Sequence, residues 1–91
     1  GNLIQPMTDQ LPVTVQTKDG QNAFGVMSRY AKLDGKSILL LVNLRSDEVD
    51  VRLINSQGKV LSGYDVLNLE AVKGDASHLS IKGVRLIELD K

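Results

Sequence analysis

An Asp-Gly pair between two runs of alternating polar and apolar residues constrains this chain more than any other sequence feature. Asp34 and Gly35 separate the run 24–33 from the run 36–44. Asp-Gly in this setting is among the strongest short-range signals for a β-hairpin, because glycine adopts positive φ without steric cost. The sequence therefore predicts two antiparallel strands joined by a tight turn.

Two registers are possible for this hairpin. A two-residue loop places Tyr30 opposite Leu39 and mixes polar and apolar side chains on both faces. A three-residue loop, in which Gly35 forms a bulge, places Tyr30 opposite Ile38 and gathers one apolar face. Because a slip of one residue turns every side chain to the other face of the sheet, we expect the register that keeps one face apolar, which is the three-residue loop.

A third strand is predicted after the loop 45–48. The run 49–53 alternates aliphatic and charged residues, and the predicted pairing places Val49 opposite Leu44. The three strands then form a central antiparallel meander that feeds one core. Its predicted core face comprises Phe24, Val26, Tyr30, Ile38, Leu40, Val42, Leu44, Val49, Val51 and Leu53.

The opposite face of this meander is more apolar than the outer face of a solvated sheet, which is mostly polar. It carries Met27 and Arg29 from the first strand and Leu39 and Leu41 from the second. Two interpretations stay open here. Either a loop or the amino-terminal segment covers Leu39 and Leu41, or these four residues form an interdomain surface that docks against another domain of a longer polypeptide.

The remaining chain is also typical of an all-β protein. Turn signals recur at short intervals, and no window of a dozen residues has a helical period. Further strands are predicted at 13–17, at 59–62, near 64–67 and as a closing pair, 78–81 with 84–89. We expect an antiparallel β-sandwich of about seven or eight strands, with an up-and-down barrel as the alternative.

Composition limits both the organisation of the chain and its partners. Its 91 residues suit one domain, predicted at 11–91 after a linker or extended lead-in at 1–10. The chain begins with Gly1 and lacks an initiator methionine, so we interpret it as a piece excised from a longer protein.

Charge and cysteine content exclude several classes of site and partner. Eleven basic and eleven acidic residues cancel without forming a basic stripe, which argues against nucleic acid and membrane partners. Cysteine is absent, so the chain has neither a disulfide framework nor a thiolate metal site.

The densest group of carboxylates is Asp47, Glu48 and Asp50. Glu48 and Asp50 share a face at strand spacing, which would suit general acid and base chemistry. However, they follow a tight turn and have Arg45 and Arg52 nearby, as is typical of a solvated surface. We therefore predict no catalytic, cofactor-binding or metal-binding residue among them.

His78 and Tyr64 are the other candidates for chemistry. His78 is the only histidine, and neither a nucleophile elbow nor a second imidazole accompanies it. Sugar recognition relies on aromatic platforms, and the chain has no tryptophan. Because the predicted register assigns Phe24 and Tyr30 to the core, Tyr64 is the one candidate for a sugar contact.

Three segments carry a family pattern. The run 29–44 combines an arginine, a polar hairpin and a hydrophobic strand that ends in Asn43, and the alternating valines of 49–53 follow it. The closing run is Gly-Val-Arg-Leu-Ile-Glu-Leu at 83–89. Together they resemble the carboxy-terminal β-sandwich of multidomain glycoside hydrolases, especially the β-galactosidase and α-amylase-like enzymes. The family often has an element of Asp, two apolar residues, a small residue and Gly, and the corresponding run 65–69 lacks the glycine.

The resemblance implies that this chain is a non-catalytic accessory domain and not an enzyme by itself. In such enzymes the acid and nucleophile carboxylates lie in a preceding barrel domain. The implied partner is therefore the catalytic domain of the same polypeptide, on which this domain packs. A periplasmic or extracellular location is implied if the parent enzyme degrades polysaccharides. A carbohydrate-binding module and an Ig-like spacer or adhesion domain are the alternatives.

Overall fold

The computed structural model describes residues 13–74 and 79–90 of the chain. Within these two ranges the structure is all-β and contains no helix. The predicted lead-in at 1–10 and the single histidine, His78, lie outside the described residues. The described strands are β1 (Val13–Gln16), β2 (Val26–Leu33), β3 (Lys36–Asn43), β4 (Val49–Asn55), β5 (Gly63–Asp65), β6 (Glu70–Val72), β7 (Leu79–Ile81) and β8 (Val84–Leu89).

The strands form two antiparallel sheets that pack face to face. One sheet has three strands in the order β1-β4-β7, and the other has five in the order β2-β3-β8-β5-β6. The predicted fold class, an antiparallel β-sandwich of seven or eight strands, is confirmed. Aliphatic side chains from both sheets form the core: Val13, Val15, Leu39, Leu41, Val49, Val51, Leu53, Val72, Ile81, Ile87 and Leu89.

The β2–β3 hairpin turns on two residues. Asp34 and Gly35 both have positive φ, 52° and 78°, as a type I′ turn requires. Tyr30 accordingly pairs with Leu39, so the predicted three-residue loop is wrong. The prediction assumed that the register keeps one face of the hairpin apolar. Because β3 is apolar on both faces, that assumption does not select a register. The twist of the type I′ turn, which matches that of the strands, is the stronger determinant here.

The predicted three-strand meander is also wrong, because β4 does not pair with β3. The chain crosses between the sheets after Asn43, and β4 pairs with β1 on one side and β7 on the other. Val49, Val51 and Leu53 still reach the core, but from the facing sheet. The predicted pairing of the last two strands, 78–81 with 84–89, is wrong for the same reason. Strand β7 pairs with β4, whereas β8 pairs with β3 and β5.

The two faces of β3 have different environments. Leu39 and Leu41 have no exposed surface and point into the core between the sheets. Successive side chains of a strand point to opposite faces. Ile38, Leu40 and Val42 therefore point away from the three-stranded sheet, and all three are only partly buried.

This arrangement corrects the predicted interdomain surface. Leu39 and Leu41 are covered by residues of this chain, so they do not form a docking surface. Met27 pairs with Val42, and Arg29 pairs with Leu40. Met27 and Arg29 therefore lie on the opposite side of the sheet from the two leucines.

Some smaller elements also differ from the prediction. The strand predicted at 13–17 is present as β1, and the turn that ends at Gly58 has positive φ there, 80°. In place of the strand predicted at 59–62, Val60 forms an isolated bridge with Ile54. Strand β6 was not predicted, because Glu70–Val72 is too short to show an alternating pattern.

Candidate functional site

The side of the five-stranded sheet that points away from the three-stranded sheet is here called the outer face. Strand pairing arranges it in rows: Met27, Val42 and Val84 in the first, and Arg29, Leu40 and Leu86 in the second. The third row crosses all five strands: Ala31, Ile38, Glu88, Tyr64 and Ala71.

Apolar side chains dominate the outer face. In the three rows the charged residues are Arg29 and Glu88, and Lys36, which lies beyond the third row on the same side of the sheet, pairs with Glu88 with 3.7 Å between Nζ and Oε1. Solvated antiparallel sheets normally expose a polar face to water. A contiguous apolar patch on a soluble domain marks a site of interaction. The outer face is therefore the strongest candidate for a binding surface.

The three-stranded sheet provides an internal comparison. Its own outward-facing residues are mainly polar: Thr14, Gln16, Asp50, Arg52, Ile54 and Ser80. The ordinary pattern of apolar residues inside and polar residues outside thus holds for one sheet of this sandwich. Because only the five-stranded sheet departs from that pattern, the apolar outer face does not reflect overall composition.

The group of carboxylates at 47–50 forms surface contacts. Arg45 donates to both oxygens of Asp47, from Nε at 3.0 Å and from Nη2 at 2.8 Å. This hydrogen-bonded pair lowers the pKa of Asp47, whereas a general acid needs a raised pKa. Glu48 accepts a hydrogen bond from the Ser80 hydroxyl, and Asp50 is exposed. A shallow cleft of about 250 Å³ lies between this loop and the turn 17–19.

A buried polar network that the sequence analysis missed lies at the edge between the sheets. Asp65 has no exposed surface, and its Oδ1 accepts the backbone N–H groups of Leu67 and Asn68 at 2.9 and 3.0 Å. Its Oδ2 accepts Nδ2 of Asn68 at 2.8 Å and Nη1 of Arg85 at 3.0 Å. The available signal was the alternation of β8, which places Arg85 on the same face as Ile87 and Leu89.

Arg85 connects this network to the facing sheet. Its Nε and Nη2 both donate to the carbonyl oxygen of Ser80 on β7, at 3.1 and 2.7 Å. Its Nη1 also donates to Glu70 at 2.6 Å. Burial would lower the pKa of Arg85, but its bonds to Glu70 and Asp65 outweigh burial and raise it. Every polar atom of this guanidinium is thus engaged within the chain, which indicates a structural role.

Asn43 occupies the point where the chain leaves β3. Its Nδ2 donates to the carbonyl oxygens of Asp47 and Ile81, both at 2.8 Å, and its Oδ1 accepts the N–H of Arg45 at 2.8 Å. These bonds fix the crossing loop to the end of β7. The asparagine that ends the hydrophobic strand in the family pattern therefore has a defined structural function in this chain.

The aromatic side chains are distributed differently from the prediction. Tyr64 is partly exposed on the outer face, beside Glu88 and Ala71. Phe24, predicted in the core, is 84% exposed. Phe24 lies in the turn before β2, beyond the first row of the outer face, whereas Tyr64 lies in the third row. The two aromatics therefore do not form one stacking platform for a sugar ring.

Neither a cluster of metal ligands nor a membrane-spanning helix is present in the described part of the chain. Residues 13–74 and 79–90 contain no group of three or more His, Cys, Asp or Glu side chains placed to hold a metal ion. In the same ranges no helix is long and apolar enough to cross a membrane.

Comparison with protein-family models, with curated proteins and with solved structures finds no match for this chain. The resemblance to glycoside hydrolase β-sandwich domains therefore rests on the residues of the chain alone. Two of them, Asn43 and Arg85, have structural roles in the contacts described above.

Proposed function

We propose that this chain is a non-catalytic accessory domain of a glycoside hydrolase, which packs on the catalytic barrel of the same polypeptide and stabilises it. The observation that carries the proposal is the apolar outer face of the five-stranded sheet. It is the one sheet face whose pattern requires a cover that the described residues do not supply.

The chemistry of the outer face suits a protein surface better than a small ligand. Ile38, Leu40 and Leu86 form an apolar centre on neighbouring strands, whereas small-molecule sites combine apolar side chains with a few precisely placed polar groups. The charged members lie at the sides, with Arg29 on the edge strand β2 and Glu88 paired with Lys36. An apolar centre with a polar rim is the usual anatomy of an interface between protein domains.

The family pattern supports the identity of the partner. The run 29–44 forms the β2–β3 hairpin, which supplies six of the eleven residues of the outer face. The closing run 83–89 forms β8, which supplies three more. Two of the three segments that resemble glycoside hydrolase domains thus build most of the proposed docking face, whereas the third, 49–53, lies in β4 of the other sheet.

The coding sequence upstream of Gly1 provides the most direct test of the partner. We expect it to encode a barrel domain with a pair of catalytic carboxylates. An upstream region that encodes an adhesion array, or no domain at all, would contradict the proposal.

Substitutions on the outer face test the docking itself. In the polypeptide that contains both domains, Leu40→Gln with Leu86→Gln should lower the unfolding temperature of the catalytic domain. Burial of each leucine contributes about 1.5–3 kcal/mol. The matched control is Thr14→Gln on the outward side of the other sheet, which should have no effect. If the double variant and the control behave alike, the outer face is not the interface.

Calorimetric titration with oligosaccharides tests the glycan-binding alternative. We expect no heat of binding from the 91-residue chain. Binding that is lost in Tyr64→Ala would replace the present proposal with a carbohydrate-binding module.

A further inference from the structure

Most of the large apolar side chains that this domain exposes lie at one end of the five-stranded sheet, here called the tip. Six of them belong to the tip: Phe24, Leu44, Val66, Leu67, Leu69 and Val84. Phe24 and Leu69 are 84% and 72% exposed. Of the other exposed large apolar residues in the described ranges, Leu33 lies at the opposite end of the sheet, and Tyr64 lies in the third row of the outer face.

The topology brings these residues together. The N–H of Leu44, just after β3, donates to the carbonyl oxygen of Gly25, just before β2, at 2.8 Å. Val84 pairs with Val42 at the start of β8. The N–H of Val66, at the end of β5, donates to the carbonyl oxygen of Leu86 at 2.9 Å. At this end of the sheet, neighbouring strands alternately begin and end. The residues that precede a strand and those that follow one therefore lie close together here.

The turn 66–69 is held in place, so its leucines are presented outward in a fixed shape. Asp65 accepts the N–H groups of Leu67 and Asn68, and Nδ2 of Asn68 donates to the carbonyl oxygen of Val84 at 3.1 Å. A cleft of about 260 Å³ lies between this turn and the turn 82–83. Its volume is below the usual range of small-ligand pockets, about 300–1,000 Å³. Its lining is mostly polar, with Asn68, Glu70, Lys82 and Arg85, so it does not add to the apolar surface of the tip.

Leu69 is the most informative residue of the tip. Its φ is +57°, a left-handed conformation that glycine adopts freely and that a leucine side chain disfavours. An exposed leucine in a position that favours glycine costs stability without contributing to the core. Such a residue is typical of a contact site.

We propose that the tip is a second contact surface and that its occupant is an apolar loop of the catalytic domain. This inference rests on the proposed function. Two tip residues join the tip to the outer face, since Val84 belongs to both and Val66 lies beside Leu86. The ion pairs nearest the tip, Arg45 with Asp47 and Arg85 with Glu70, are satisfied within the chain, so they favour an apolar partner.

Interface area supports the same occupant. One residue on a sheet face covers about 32 Å², given strands about 4.8 Å apart and a repeat of about 6.7 Å, so the outer-face residues other than the buried Ala31 cover about 320 Å². Interfaces between domains of one chain bury about 600–1,500 Å² in total, or about 300–750 Å² a side. The outer face alone reaches the lower end of that range, and the tip brings the contact towards its middle.

The chain also permits the catalytic domain to reach the tip. Val13, where the described structure begins, pairs with Asn55 at the opposite end of the sandwich, and Asp90 bonds to Ser62 at that end as well. The long dimension of the domain is 40 Å. The twelve residues before Val13 span up to about 40 Å when extended. A domain attached through them can therefore contact the end that lies furthest from the attachment.

Binding in trans tests the proposal, with the polypeptide that precedes Gly1 expressed separately and titrated with the 91-residue chain. Leu69→Gly is the decisive variant, because it relieves the backbone and should raise the unfolding temperature of the isolated chain. The same substitution should weaken binding about tenfold, since it removes a buried leucine. Phe24→Ser should weaken binding by a similar factor. Gln57→Gly, in the turn at the opposite end, is the control and should leave binding unchanged.

Leu40→Gln separates this inference from the proposed function. If Leu40→Gln weakens binding whereas Leu69→Gly and Phe24→Ser do not, the tip is not a contact surface, and the proposal that the outer face docks on the catalytic domain is retained. If none of the three weakens binding, both proposals fail. Binding of the 91-residue chain to phosphatidylcholine vesicles that is lost in Phe24→Ser would assign the tip to a lipid surface and overturn the inference.

Discussion

The Nη1 atom of Arg85 lies 3.0 Å from Oδ2 of Asp65, a carboxylate with no exposed surface, while two other nitrogens of the same guanidinium bind the carbonyl oxygen of Ser80 in the facing sheet. A buried ion pair is not by itself a large source of stability, because both ions are desolvated. Removing one partner of such a pair is costly, since the remaining ion loses that partner in a desolvated site, although Arg85 would retain Glu70 as a carboxylate partner. Arg85 and Asp65 therefore make the edge between the two sheets sensitive to substitution.

We expect Asp65→Ala to lower the free energy of unfolding by about 3–5 kcal/mol, the usual cost of breaking a buried pair from one side. The variant also removes the acceptor for the N–H groups of Leu67 and Asn68. Chemical denaturation of the isolated chain measures the effect. Lys36→Ala, which breaks the exposed pair with Glu88, is the control and should change stability little. A similar small loss in both variants would show that Asp65 is not a structural anchor.

Stability should fall in acid because of Asp65. Burial would raise its pKa, but the hydrogen bonds from Asn68, Arg85 and Leu67 outweigh burial and hold the pKa below its usual value. The unfolded chain then binds the proton more tightly than the folded chain does. Asp65 therefore contributes stability above its unfolded pKa of about 3.9, and this contribution is lost as pH falls from there through the folded pKa. In Asp65→Asn, unfolding free energies measured from pH 6 to pH 2 should decline less, because the titrating group is absent.

Local sequence patterns predicted the strands but not their partners. Alternation in 13–17, 24–33 and 49–53 identified β1, β2 and β4, because strand geometry imposes a period of two wherever one face is buried. It did not show that β4 leaves the sheet of β3, since Val49, Val51 and Leu53 face the core from either sheet. Pairing such as that of Leu39 with Ile87 joins residues that are remote in sequence, and no local pattern encodes it.

The candidate surface was predicted only in part, for a related reason. The sequence showed that β3 is apolar on both sides, and this is correct. It did not show which side is the core, so Leu39 and Leu41 were assigned to the outside. The Asp65–Arg85 network was missed because charged residues are usually exposed, and only the three-dimensional contacts show that this carboxylate is enclosed.

The two faces of β3 should respond differently to truncation in the isolated chain. Leu41→Ala removes a fully buried side chain from the core and should cost about 2–5 kcal/mol. Leu40→Ala truncates a partly exposed side chain on the outer face and should cost clearly less. Urea denaturation of both variants provides the comparison. A larger loss in Leu40→Ala would support the three-residue loop and reverse the assignment of the faces.

Asn43 should be difficult to replace. Asn43→Ala removes three hydrogen bonds at the crossing between the sheets, and we expect a loss of about 1–3 kcal/mol from the groups left unpaired. Asn43→Asp keeps the oxygen that accepts the N–H of Arg45 but loses the donor to Asp47 and Ile81. Amide hydrogen exchange of Arg45 distinguishes the two variants, since its protection should survive in the aspartate and be lost in the alanine. Equal protection in both would show that the side-chain oxygen of residue 43 does not hold the loop.

Two glycines should be sensitive to alanine for different reasons. At Gly35 a Cβ meets no neighbouring atom within 4 Å, but φ is +78°, so Gly35→Ala should cost about 1–2 kcal/mol through the backbone alone. At Gly63 φ is not in that region, but a Cβ would run into the carbonyl oxygen of Glu88, because β5 and β8 approach closely there. Gly63→Ala should therefore cost more and should loosen the pairing of β5 with β8.

Asp34→Asn is the matched control for Gly35→Ala. Asparagine tolerates the positive φ of the first turn position as well as aspartate does, so this variant should keep wild-type stability. Thermal unfolding of the three variants measures the order of stability, which we expect to be Asp34→Asn, then Gly35→Ala, then Gly63→Ala. If Gly35→Ala is as stable as the wild type, the turn is not of type I′, and the register of the β2–β3 hairpin that places Leu39 in the core loses its support.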